Sequence, residues 1–95
     1  MSQELRFEWN ISKAEKNIKK HRVSFEEAAT IFDDPMFITF IDQEHSIDEE
    51  RYITIGLSNS ARLLMIAHTD RNGLIRIISA RKATKKEQLF YEKFD

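Results

Sequence analysis

The lone proline of this 95-residue chain, Pro35, separates two stretches of different hydrophobic period, and that change limits the possible folds more than any other feature. Before it, Ile11, Ala14 and Ile18 recur at helical spacing behind Asn10, a good N-cap, so a helix is expected up to about His21. Lys13, Lys16, Asn17 and Lys20 fall on the opposite, solvent face. Ser24-Phe25-Glu26-Glu27 reads as a capping box, and Phe25, Ala28, Ala29 and Phe32 continue a second helix that Asp34-Pro35 ends. Arg22-Val23 joins the two into an α-hairpin. After Pro35 the pattern is that of strands at 36–41, 50–57, 62–69 and 74–81. Asp70-Arg71-Asn72-Gly73 is a hairpin turn in which Gly73 supplies a positive φ. Leu5-Arg6-Phe7-Glu8-Trp9 alternates as a short edge strand. Thr84-Lys85-Lys86-Glu87 is a second capping box, opening a last helix that carries Phe90 and Phe94. Hairpin-length links between the later strands imply antiparallel pairing. The expected class is α+β: an antiparallel sheet packed by an N-terminal α-hairpin and a C-terminal helix, in the order β-α-α-β-β-β-β-α. The length allows one domain, residues 1–95.

Composition excludes several classes. Hydrophobic residues make up 41%, with seven Phe and Trp9, which suffices for a core and argues against disorder. The absence of cysteine excludes a disulfide scaffold, a zinc–thiolate site and a thiol nucleophile, and fits a reducing cytoplasm. No apolar run is long enough for a membrane span, and the first residues lack the character of a signal peptide, so a soluble cytoplasmic protein is expected. The net charge of −1 conceals segregation: residues 1–23 sum to +3, residues 24–50 to −9 and residues 51–95 to +5. If the two basic segments meet, they form a face suited to a polyanion.

Residues 74–81 carry an arginine on each alternating face, Arg76 on one and Arg81 on the other. A bulge near Ser79 or Ala80 would bring both to one side. Alternatively Arg76 forms a structural ion pair with Glu50 or Glu8. Lys20-His21 ends the first helix, where His21 is either a proton-transfer group or a C-cap. His68, in an apolar strand, reads as a core histidine. His45 lies among Asp42, Glu44 and Asp48, but in no recognised ligand spacing, so no metal is expected. No phosphate loop or nucleophile elbow occurs, and no cofactor is expected.

Phe7-Glu8-Trp9-Asn10 with Lys13, Asn17, Lys20-His21 and Val23-Ser24-Phe25-Glu26-Glu27-Ala28 resembles the opening of the BrnT toxin family. Glu49-Glu50-Arg51-Tyr52 with Ile55-Gly56 is similar to its centre. Arg76-Ile77-Ile78-Ser79-Ala80-Arg81-Lys82-Ala83-Thr84, then Glu87 and Tyr91, resembles its closing block. Arg22 stands where Gly is common, and Asn10 replaces the usual Asp. The resemblance implies the toxin of a type II toxin–antitoxin pair, a RelE-like endoribonuclease that stops translation. It also implies a BrnA-type ribbon–helix–helix antitoxin, forming a heterotetramer with an antitoxin dimer and contacting operator DNA through the antitoxin alone.

Metal-free RNA cleavage needs a base for the 2′-hydroxyl, an acid for the 5′-oxygen and cations for the phosphorane. Arg76 and Arg81 are expected as those cations, His21 as a proton carrier with Lys20 or Glu50 as the other, and Arg51 and Lys82 on flanking phosphates. A non-enzymatic binding module and a ParE-like topoisomerase poison are the competing readings. The acids of residues 24–50 form either a patch for basic antitoxin residues, including Asp42, Glu44 and Asp48, or a solvated surface.

Overall fold

A computed structural model describes residues 4–94. Strand β1 (Arg6–Glu8) leads into α1 (Ile11–His21) and α2 (Phe25–Ala29), which tightens into a 3₁₀ turn at Thr30–Asp33. Strand β2 (Ile38–Ile41), a 3₁₀ turn at Gln43–His45, strands β3 (Tyr52–Leu57), β4 (Leu63–Arg71) and β5 (Leu74–Lys82), and helix α3 (Lys85–Glu92) follow. The class is α+β, as expected. The sheet is mixed, however, which corrects the purely antiparallel expectation: its order is β1-β5-β4-β3-β2, and β1 runs parallel to β5. Strand alternation reports which face a residue joins. It carries no information on the direction of a partner distant in sequence.

Local chemistry accounts for the element ends. Asn10 caps α1 by accepting from the Lys13 amide at 3.0 Å. Arg22 closes the helix in the left-handed conformation, with φ 60, where a glycine would meet no Cβ strain. Ser24 accepts from the Glu27 amide, but the Glu27 carboxylate turns away to Arg62 and Ser58. This end is therefore half a capping box, whereas Thr84 and Glu87 complete theirs. Between β4 and β5 only Asn72 and Gly73 intervene, both at positive φ, as a two-residue primed turn requires.

The core lies between the hairpin and one sheet face. Ala14, Val23, Phe25, Ala28 and Ile31 pack on Leu64, Ile66, Ile75, Ile77 and Ala80, all nearly inaccessible. A Cβ at Gly56 would come within 3.1 Å of Ile31, so this glycine lets the 3₁₀ turn approach β3. Helix α3 packs on the other face near Ile55 and Phe40, with Phe40 and Phe90 edge to face at 5.7 Å.

The first helix departs from its expected amphipathic reading. Ile11 and Ile18 are exposed, and Asn17, assigned to the solvent face, is buried. Its amide donates to Ala80 O (2.8 Å) and Val23 O (2.9 Å), and its oxygen accepts from the Ala80 amide (3.1 Å). Strand β1 covers β5 only as far as Arg76. Beyond that point the Asn17 side chain satisfies the backbone of the open edge.

Candidate functional site

The phase of β5 decides where the arginines point. Opposite β4 the register slips between Ala67 and His68: Ala67 pairs with Ser79 and His68 with Ile77, which leaves Ile78 as the extra residue. Ile75 and Ile77 before this bulge, and Ala80 after it, all enter the core. Arg76 and Arg81 therefore project from the same, opposite face. Arg76 pairs with Thr69 on β4 and Glu8 on β1. Arg51, one residue before the Tyr52–His68 pair, continues this row across the sheet.

Arg51 and Arg76 line one cavity of about 440 Å³ together with Lys13 of α1 and His45 of the connection before β3. Thr69, Ile78, Ile47, Asp48 and Glu49 complete its wall. Lys13 and Arg51 form no ion pair among the described residues. Arg76 is held by Glu8 at 3.0 Å in a half-exposed contact, which water screens and an incoming anion can replace. Glu49 is occupied by Arg71. His45 receives its orientation from Asp42, whose Oδ2 lies 2.9 Å from Nδ1.

The other expected site residues stand elsewhere. Arg81 shares the face with Arg76 but lies about 16 Å farther along β5. There it is clamped by both oxygens of Glu87 on α3, at 2.7 and 2.9 Å. This contact and burial act in opposite directions on Glu87; the Arg81 hydrogen bonds are the larger effect and hold its carboxyl below the usual range. Lys82 is exposed at the end of the strand. Lys20 and His21 end α1, about 12 Å along the helix from Lys13, and line no part of the Arg76 cavity. The His21 side chain makes no hydrogen bond among the described residues, and Arg22, not His21, is the C-cap. Glu50 accepts from the Tyr52 hydroxyl at 3.3 Å and raises that phenol's pKa, which places it on Tyr52's side of the chain, opposite Arg51. The structure thus brings Arg51 and Arg76 together and separates them from Lys20, His21, Arg81 and Lys82.

Two cavity residues, Lys13 and His45, were not singled out from sequence as members of one site with Arg76. Lys13 carried a signal, being one of a basic row on α1, but nothing in the spacing linked that row to β5. His68 behaves as expected: it is buried, its Nε2 lies 2.7 Å from Thr54 Oγ1, and desolvation pushes its pKa down. Of the acids in 24–50, Glu27 binds Arg62, Asp34 accepts from Leu57 and Tyr91, and Asp42 holds His45. Those three have partners within the fold.

A family model described as the ribonuclease toxin BrnT of type II toxin–antitoxin systems matches residues 9–87. No curated protein matches the sequence at a significant level. Among solved structures, the fold is similar to the crystal structure of the Brucella abortus ribonuclease toxin BrnT, with a TM-score of 0.64 and 19% identity. That alignment covers 85% of this chain and 99% of the Brucella chain. With the family model spanning most of its length, the chain belongs to the BrnT ribonuclease toxins of type II toxin–antitoxin systems.

Proposed function

We propose that this protein is a metal-independent endoribonuclease that arrests translation by cutting RNA at the Arg51–Arg76 cavity. The observation supporting this reading is the grouping of Lys13, Arg51 and Arg76 around one cavity on an open sheet face. A 2′-hydroxyl attacking the adjacent phosphorus forms an O2′–P bond and breaks the P–O5′ bond, leaving a 2′,3′-cyclic phosphate and a 5′-hydroxyl. The extra negative charge on phosphorus in that step is met by the Arg76 and Arg51 guanidiniums, whose planar donors match phosphate oxygens. Glu8 holds Arg76 in place until the phosphate displaces it.

Lys20, His21 and Lys82 are assigned to the RNA beyond the reacting phosphate, because they stand one helix length or strand length away. Arg81 acts through Glu87 by fixing α3, and Glu50 through Tyr52, so both are positioning residues in this reading. A RelE-like arrangement and a BrnA-type ribbon–helix–helix antitoxin, two copies binding two toxins, complete the proposal. The antitoxin neutralises the toxin by covering the cationic face and carries the operator-binding function.

Labelled RNA incubated with purified protein in EDTA tests the reading, with cleavage expected. RNA that is retarded but intact favours a binding module, and gyrase-dependent DNA breaks favour a topoisomerase poison.

A further inference from the structure

Lys20 and His21 stand too far from the Arg76 cavity to move a proton there, so the base has to come from the cavity's own wall, where Glu49 is held by Arg71. His45 lines that cavity with Arg51, Arg76 and Lys13, and no other histidine does. Its side chain is 59% exposed, so the ring is open to a substrate. The backbone holds it in place: the 3₁₀ turn Gln43–His45 is closed by the His45 amide on Asp42 O, and Ser46 Oγ ties Asp42 O to the Arg51 amide. The Asp42 carboxylate lies 2.9 Å from Nδ1. An ionised carboxylate accepts a hydrogen bond there and donates none, so it selects the tautomer with hydrogen on Nδ1 and a free lone pair on Nε2.

We infer that the Asp42–His45 dyad supplies the general base of this toxin, His45 Nε2 taking the proton of the attacking 2′-hydroxyl and Asp42 positioning the ring. This assignment rests on the ribonuclease reading above. The step balances with groups of the same cavity. The 2′-hydroxyl proton passes to His45 as O2′ bonds to phosphorus. The P–O5′ bond breaks, and the leaving oxygen takes a proton from the Lys13 ammonium. Water then exchanges both groups back to their starting states. The charges facing the imidazole are Asp42, Asp48 and Glu49 from its own connection, Arg51 before β3, Lys13 from α1 and Arg76 from β5.

The test compares wild type, His45→Gln, His45→Ala, Asp42→Asn and Arg76→Ala on one labelled RNA, with folding checked by circular dichroism. Affinity is measured separately on the same sequence with every 2′-hydroxyl methylated, which binds but cannot react. His45→Gln is expected to slow cleavage by about 10²- to 10⁴-fold without changing affinity. It should also remove the rise in rate with pH that deprotonation of a catalytic imidazole produces. Added imidazole should partly restore His45→Ala, and Asp42→Asn should lower kcat, leave KM, and alter the pH profile. A His45→Gln protein at the wild-type rate overturns the assignment, as does a slow variant with an unaltered pH profile and no imidazole rescue. If Arg76→Ala is then inactive, the ribonuclease reading stands without this base. A wild-type protein that leaves the RNA whole overturns both.

Discussion

Asn17 joins three parts of the chain through one amide: the body of α1, the link to α2 at Val23 and the edge of β5 at Ala80. Truncating it leaves a buried N–H and buried carbonyls without partners, each costing about 1–3 kcal/mol. Asn17→Ala is therefore expected to lose roughly 2–4 kcal/mol in urea unfolding, whereas Lys16→Ala, on the exposed neighbouring position, stays within about 0.5 kcal/mol. The opposite sign is expected at Arg22, whose φ of 60 strains an ordinary side chain. Arg22→Gly should gain about 0.5–1 kcal/mol, because its carbonyl still accepts from Arg62. Periodicity could not reveal Asn17. A polar residue at a helical position reads as solvent-facing unless the unsatisfied strand edge it meets, 63 residues later, is already known. The caps, in contrast, were readable, because Asn10, Ser24 and Thr84 each bond an amide three residues away.

At the scale of elements, α3 is attached by specific polar contacts more than by apolar area, since Leu89, Phe90 and Phe94 remain largely exposed. Arg81 clamps Glu87, and Tyr91 donates to Asp34 at 2.6 Å. Burial acts to raise the Asp34 pKa, but hydrogen bonds from Tyr91 and from the Leu57 and Met36 amides outweigh it, so the carboxyl titrates below its usual value. Arg62 likewise depresses Glu27. Groups with lowered folded-state pKa values stabilise fully above the ordinary carboxylate range and lose that contribution as pH falls through the folded values. The melting temperature should therefore begin to fall below about pH 6.5, where His68 protonates in the unfolded chain but is kept neutral by burial in the fold, and fall further below about 4 as these carboxylates titrate, with the second fall shallower in Glu87→Gln. An equal fall in that variant contradicts the assignment. The strands themselves were legible from alternation and turn residues. The parallel pairing of β1 with β5 was not, because Arg6–Glu8 and Leu74–Arg76 come together only once the hairpin has folded.

For the molecule as a whole, one sheet face is closed by the α-hairpin and the other is left open beside α3. The bulge at Ile78 turns Arg76 and Arg81 onto that open face. Segregated charge along the chain pointed toward a polyanion, and the bulge was foreseeable as one way to unite the arginines. Which cations share a cavity was not, because that depends on Lys13 and His45 arriving from distant segments. RNA affinity measured on an uncleavable analogue should fall steeply between 50 and 200 mM salt, and Lys13→Ala should flatten that slope.

The most direct test of the account is the end chemistry of RNA cut in EDTA by wild type and by an Arg51→Ala, Arg76→Ala double variant. The account predicts 2′,3′-cyclic phosphate and 5′-hydroxyl ends from wild type, and a loss of at least about 10²-fold in the folded double variant. Fragments with 5′-phosphate ends, or undiminished cleavage by the double variant, would contradict it.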